Sequence, residues 1–328
     1  MTDTFKRYYV KVSISLLLVS VLAACGGGSK ETVSPKTGEG PQAIDADPVA
    51  LLPSSATIIA RVDAKQMFTT GSVGGQLGQL SERLMPIGDE AGFKASRDLE
   101  TIYAATYSTS GADVVAVLVG TFDAEKIRAV ADSHTPTKGG GVLVASYYLE
   151  RRLYTLNNVG FCVISPRTVL AGSETMIRRA IERLKDGVAV RNQPPWMTQT
   201  IDPASNQGAA FAFAADFANQ PIAAASVGMV PLAWVKGLKA ARLVGNFKDP
   251  GLNIAATLTY PDPNAAKDNA DQVKKTASMA SLLALVGAPQ LKNLDIKTQE
   301  ADVQITFGVD DAVLRTFLGS VQQYVPQR

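Results

Sequence analysis

The sequence predicts an α+β fold of two similar halves, each an antiparallel sheet with helices packed on one face. Short runs of alternating apolar residues are joined by turns rather than by crossover helices, which argues against a doubly wound parallel sheet. Helices begin behind Asp or Ser caps directly after strand-like runs. The order of these elements also occurs twice. Asp123 and Asp262 are 139 residues apart, Ser173 and Asp310 are 137 apart, and Asp63 and Asp216 are 153 apart. A shared order with a near-constant offset is the mark of an internal repeat. The larger third offset assigns the extra residues to the Gly-rich segment of the first half.

Element by element, Ala56, Ile58, Ala60 and Val62 alternate with Thr57, Ile59 and Arg61, the period of a half-buried strand that ends at Asp63. Leu77, Leu80, Leu84 and Ile87 then recur at helical spacing within 71–93, where Gly71, Gly74, Gly75 and Gly78 weaken the start. Residues 99–109 and 113–120 flank Ser110-Gly111-Ala112 and predict a hairpin. Asp123 is a helix cap, and Phe122 with Ile127 has the spacing of a hydrophobic staple. Strands follow at 142–149, 152–156, 160–164 and 168–171, and Ser173 opens a helix with Ile177, Ala180, Ile181 and Leu184 on one face. Residues 192–207, with Pro194-Pro195-Trp196 and Asp202-Pro203, are expected to be a linker. Beyond it the pattern predicts a strand ending at Asp216, a helix over about 229–244, a strand at 252–260 and a helix from Asp262. A strand at 301–307 and a helix from Asp310 close the chain. The expected division is therefore 49–191 for the first repeat, 192–207 for the linker and 208–328 for the second repeat.

The first 48 residues have another character. Lys6, Arg7 and Lys11 precede an apolar run from Val12 to Ala24, the layout of a secretory signal peptide over residues 1–24. The run is shorter than the roughly 20 residues a membrane-spanning helix needs. It ends in Leu22-Ala23-Ala24-Cys25, which resembles the lipobox of bacterial lipoprotein precursors. The resemblance implies cleavage before Cys25, lipidation of its thiol, and anchoring by more than one acyl chain, since a single chain anchors only marginally. Gly26 follows where the sorting signal of enteric bacteria has Asp for inner-membrane retention, so the resemblance favours the outer membrane. Residues 25–48 are rich in Gly, Ser, Pro and charge and are expected to be a flexible tether.

Charge excludes some partners. Removing Lys6, Arg7, Lys11 and Asp3 from 32 basic and 30 acidic side chains leaves 29 of each. A neutral chain without a basic run gives no electrostatic case for nucleic acid. Cys162 is the one cysteine besides Cys25, so no internal disulfide is expected. It sits in the apolar run Val159–Ile164, where a cysteine acts as a small hydrophobe more readily than as a nucleophile. His134 stands beside Pro136 in a polar loop, and one histidine with one cysteine makes no zinc framework. No cofactor or metal is expected.

Three candidates remain. Asp63 and Asp216 are symmetric under the repeat, so they are the pair to consider for acid–base chemistry or cation binding, although turns and caps favour Asp at such positions. Trp196, between Pro195 and Met197, suits a partner anchor or internal packing equally. The mature region is similar in general layout to bacterial lipoproteins with a duplicated α+β domain. The sequence thus reads first as a membrane-anchored, non-enzymatic binding or scaffold module of the cell envelope, held by lipidated Cys25 and working with an envelope protein partner. The alternative is a carrier or sensor of a lipid or other apolar ligand, which requires an apolar cavity of a few hundred cubic ångströms between sheet and helices. A carboxylate-based hydrolase using Asp63 and Asp216 is the third reading.

Overall fold

The structure is a computed structural model. It describes residues 41–324 apart from 72, 85–86, 109–112, 138–140, 186–189, 223–224, 228–229, 249–250 and 285–290. The lipobox residues Leu22 to Cys25 and the hairpin turn at 110–112 lie outside the described residues. The fold is α+β with antiparallel sheets, and it divides at Asp202/Pro203 into two compact units.

The first unit covers residues 41–202. It opens with helix α1 (Pro41–Ala46) and a 3₁₀ turn (Pro48–Leu51). Strand β1 (Ile58–Asp63) leads into α2 (Ala64–Thr69), α3 (Gly74–Leu84) and α4 (Ala95–Asp98). Strands β2 (Leu99–Thr106) and β3 (Val114–Gly120) form the expected hairpin, with Ala104 opposite Ala116. Helix α5 (Ala124–Asp132) follows, then β4 (Val144–Tyr148), β5 (Arg151–Leu156), β6 (Val159–Val163), β7 (Thr168–Ser173) and α6 (Glu174–Lys185). Helix α7 (Pro195–Ile201) closes the unit. The strands lie in the order β1-β2-β3-β7-β6-β5-β4, each antiparallel to its neighbours.

This sheet is covered on both faces, a correction to the one-face expectation for this unit. Phe161, Val163, Val169 and Leu118 point to the side of α5, where Phe93, Phe122 and Ile127 join them in one cluster. The alternate residues Cys162, Leu170 and Val117 are also fully buried, on the side where α6 packs with Met176, Ile177 and Ile181. Two buried faces explain why β6 reads as a continuous apolar run rather than an alternating one.

Order also begins earlier than the tether expectation. Ile44 is buried, and Asp45 accepts hydrogen bonds from Ser165 Oγ at 2.7 Å and Thr168 Oγ1 at 2.6 Å. Arg191 Nε adds a bond to Asp47 at 3.0 Å. Asp45→Ala strips an acceptor from two buried hydroxyls, so it is expected to lower stability by about 1–3 kcal/mol, read as a drop in the urea midpoint. The 192–207 linker expectation is corrected too. Pro195 takes the first helical position of α7, where its missing N–H is harmless, and Met197, Thr200 and Ile201 are buried. Gln193 is buried between Ala56 N–H, which it accepts from at 3.3 Å, and the Pro53 carbonyl, to which it donates.

The second unit spans Pro203–Tyr324. It contains β8 (Phe211–Asp216), the short pair β9 (Ala225–Val227) and β10 (Val230–Leu232), then β11 (Ala240–Lys248) and β12 (Gly251–Thr259). Helix α8 (Pro263–Ala284), β13 (Leu291–Gln299), β14 (Asp302–Asp310) and α9 (Asp311–Tyr324) follow. The strand order is β8-β11-β12-β14-β13. Ile254, Ala256, Leu258, Val303 and Ile305 bury one face, while Ala255 and Thr306 of the other are exposed. The helix expected over 229–244 is therefore corrected to β10, a 3₁₀ turn and β11, and β13 was not foreseen. No helix among the described residues is long and apolar enough to cross a membrane.

Candidate functional site

The most distinctive feature of the first unit is an apolar cavity of about 370 Å³ between the sheet and α5. Its floor is the β3-β7-β6 face, through Leu118, Val169, Ala171 and Phe161. Its roof is Phe122 and Ile127, with Ile87 and Phe93 on one flank and Leu143, Leu156 and Val159 on the other.

Local sequence rules put these walls in place. Asp123 caps α5 by accepting the Lys126 N–H at 3.0 Å. That fixes Phe122 and Ile127 at the two ends of a hydrophobic staple, both turned onto the sheet. Phe93 stacks on Phe122 with ring centroids 5.5 Å apart. On the floor, Tyr154 stacks on Phe161 at 5.1 Å. Beyond that ring, Arg152 on β5 pairs with Asp132 at the end of α5 at 2.8 Å. Tyr154 is completely buried, and burial with the Asp132 carboxylate nearby pushes its phenol up to about 12. At the other end Val159 both lines the cavity and is 56% exposed, so the mouth lies there.

No polar or charged side chain lines the cavity among the described residues. The site therefore offers hydrocarbon contact and nothing for acid–base, nucleophilic or metal chemistry. No cluster of His, Cys, Asp or Glu suited to a metal is present among the described residues.

The residues singled out in the sequence lie elsewhere. Asp63 caps α2, accepting the Gln66 N–H at 2.8 Å, and stands 3.6 Å from the buried Arg61 guanidinium. Asp216 accepts the Ala218 N–H at 2.9 Å in the turn after β8. Each carboxylate has a backbone task, and the two belong to different units. Trp196 is half-buried in the first turn of α7. His134 is exposed at φ 53 in the loop after α5. Within the Gly-rich segment, a Cβ at Gly74 would stand 2.3 Å from the Phe68 carbonyl oxygen, so close helix packing accounts for that glycine.

Cys162 is fully buried on the α6 side of the sheet, and burial pushes its thiol up to about 11 from an ordinary 9.0. The folded state holds the proton more tightly than the unfolded chain. Its contribution is whole below pH 9.0 and is lost as pH rises through about 11, a loss of about 3 kcal/mol. Cys162→Ala is expected to flatten that part of the alkaline decline, measured as urea midpoints of both proteins at about pH 8 and pH 11. Ellman's reagent is expected to label the native thiol only as fast as the chain opens.

The chain is similar in fold to TP0453. Crystal forms I, III and IV of that protein align with TM-scores of 0.50, 0.51 and 0.50 at 12, 10 and 11% identity. The alignments cover 84, 89 and 83% of this chain and 97, 100 and 96% of theirs. At that identity the likeness concerns fold alone. No protein-family model matches the chain, and no curated protein does.

Proposed function

We propose that this chain is a lipid-anchored protein of the bacterial envelope whose first unit binds an apolar ligand in the cavity beneath α5. The observation that carries the reading is the cavity itself, about 370 Å³, lined among the described residues by apolar side chains and open beside the exposed Val159. Voids of this kind forfeit contacts on every wall, so hydrocarbon enters favourably. A chain of about eleven methylenes gains about 9 kcal/mol gross on burial. Association takes back at least about 4 kcal/mol, leaving a dissociation constant on the order of 0.1–1 mM.

The leader ending in Leu22-Ala23-Ala24-Cys25 supports the anchor, and Gly26 supports the outer membrane as its site. The order of elements supports a duplication. Leaving out the β4–β5 hairpin, the first unit has the strand order β1-β2-β3-β7-β6, and the second has β8-β11-β12-β14-β13. In chain order, a helix stands between the third and fourth of these five strands in each unit and another follows the fifth. The inserted hairpin carries Leu156, a wall of the cavity. A second reading, a scaffold for an envelope protein, draws on Val144 and Tyr147 of β4, which are exposed at 62 and 71% on a terminal strand of the sheet.

The anchor is tested by fractionation: Cys25→Ser is expected to leave the membrane fraction, and continued membrane association counts against lipidation. Ligand binding is tested by titrating the full Cys25→Ser chain with cis-parinaric acid. A saturable fluorescence rise at one site per chain is expected, and a linear, non-saturating response contradicts the reading.

A further inference from the structure

We propose that the ligand is a single unbranched acyl chain, inserted tail first past Leu156 and Val159 with its polar head left outside at the Asn157–Asn158 turn. The inference rests on the apolar-ligand reading and names its ligand class and pose. Size limits the occupant. About 370 Å³ lies at the small end of ligand cavities, the scale of one medium-length chain.

Chemistry sets the direction. A carboxylate or hydroxyl pushed inward would lose its water and meet no donor or acceptor among the lining side chains, so the polar end stays out. Away from the mouth, the fully buried Tyr154 stacks on the lining residue Phe161 and Arg152 pairs with Asp132, while the lining residue Val159 is exposed, so the tail enters from the Val159 end. At the open end, β5 turns into β6 through Asn157 and Asn158, at φ 51 and 65, the left-handed pair of a two-residue hairpin turn. Both are exposed, and they are flanked by the lining residues Leu156 and Val159. The Asn158 carbonyl accepts the Glu174 N–H at 3.0 Å, which ties this rim to the start of α6. The rim thus presents side-chain amides, neutral groups that donate and accept but do not select charge. The site is expected to choose by tail and to tolerate many heads.

The test is displacement of cis-parinaric acid from the full Cys25→Ser chain by fatty acids of increasing length, by lauryl alcohol and by cholesterol. Affinity is expected to rise about fourfold per methylene, level off near a dozen carbons, and differ by no more than about threefold between lauric acid and its alcohol. Cholesterol is expected to compete poorly. An alcohol bound tenfold or more tightly than the acid would put the head inside, and an acid favoured as strongly would demand a cation at the rim. Either result, an absent plateau, or equal competition by cholesterol overturns the inference while leaving an apolar site. Failure of cis-parinaric acid itself to bind overturns both. The pose has its own readout in Val159→Trp, a change at an exposed position. A nitroxide near the fatty-acid head is expected to quench this tryptophan more than one near the tail, and the reverse order contradicts the pose.

Discussion

Ala171→Phe is expected to abolish ligand binding, weakening the apparent affinity at least a hundredfold, while leaving the urea midpoint nearly unchanged. Ala171 sits on the cavity floor opposite Phe161 in the β6–β7 register. In a filled core the larger ring would force side chains off their rotamers at a cost of about 1–3 kcal/mol. Here it enters space that holds no protein atoms, and its own burial offsets the strain. Stability and binding therefore separate. A variant that loses both would mean that Ala171 is ordinary packed core. One that keeps both would move the ligand elsewhere.

One residue further along β7, Gly172→Val is expected to cost at least about 4 kcal/mol and to leave little folded protein at 37 °C. Gly172 has φ 142, where side chains are strained, and a Cβ there would stand 2.2 Å from the Val114 carbonyl oxygen. The obstruction is backbone on β3, the strand paired with β7, so neither partner can give way without breaking the ladder between them. Thermal unfolding monitored by circular dichroism measures it. A fall of only a few degrees would mean that the β3–β7 ladder yields more readily than its pairing implies.

Much of the fold was legible because local rules and tertiary structure agree. Asp123 and Asp262 cap helices where the sequence places caps, each accepting a backbone N–H at 2.9–3.0 Å, whereas Asp63, read as the end of a strand, also caps the unforeseen α2. Phe122 and Ile127 are buried as a staple pair. The misses have identifiable causes. In 229–244, Leu232, Val235 and Leu238 fall at helical spacing by coincidence, and pairing of β11 with both β8 and β12 settles the segment as sheet. Strand β13 is a terminal strand, mostly exposed, and its Lys292, Asp295 and Lys297 mask the alternation while also blunting its free edge. Helix α1 is hidden by polar composition, because its order comes from Asp45 bonding to residues 120 and 123 positions away. The cavity itself had no sequence signature. Leu118, Phe161 and Val169 look the same in a pattern whether the space above them is full or empty, and only the placement of α5 decides it.

Native mass spectrometry of the full Cys25→Ser chain, purified from cells without detergent, reads the occupancy of the cavity. A reproducible added mass matching an extractable single-chain amphiphile is expected, one per chain, and absent from the Ala171→Phe variant. The same added mass on the filled variant, or a bare chain that takes up no fatty acid when one is supplied, would contradict binding in this cavity.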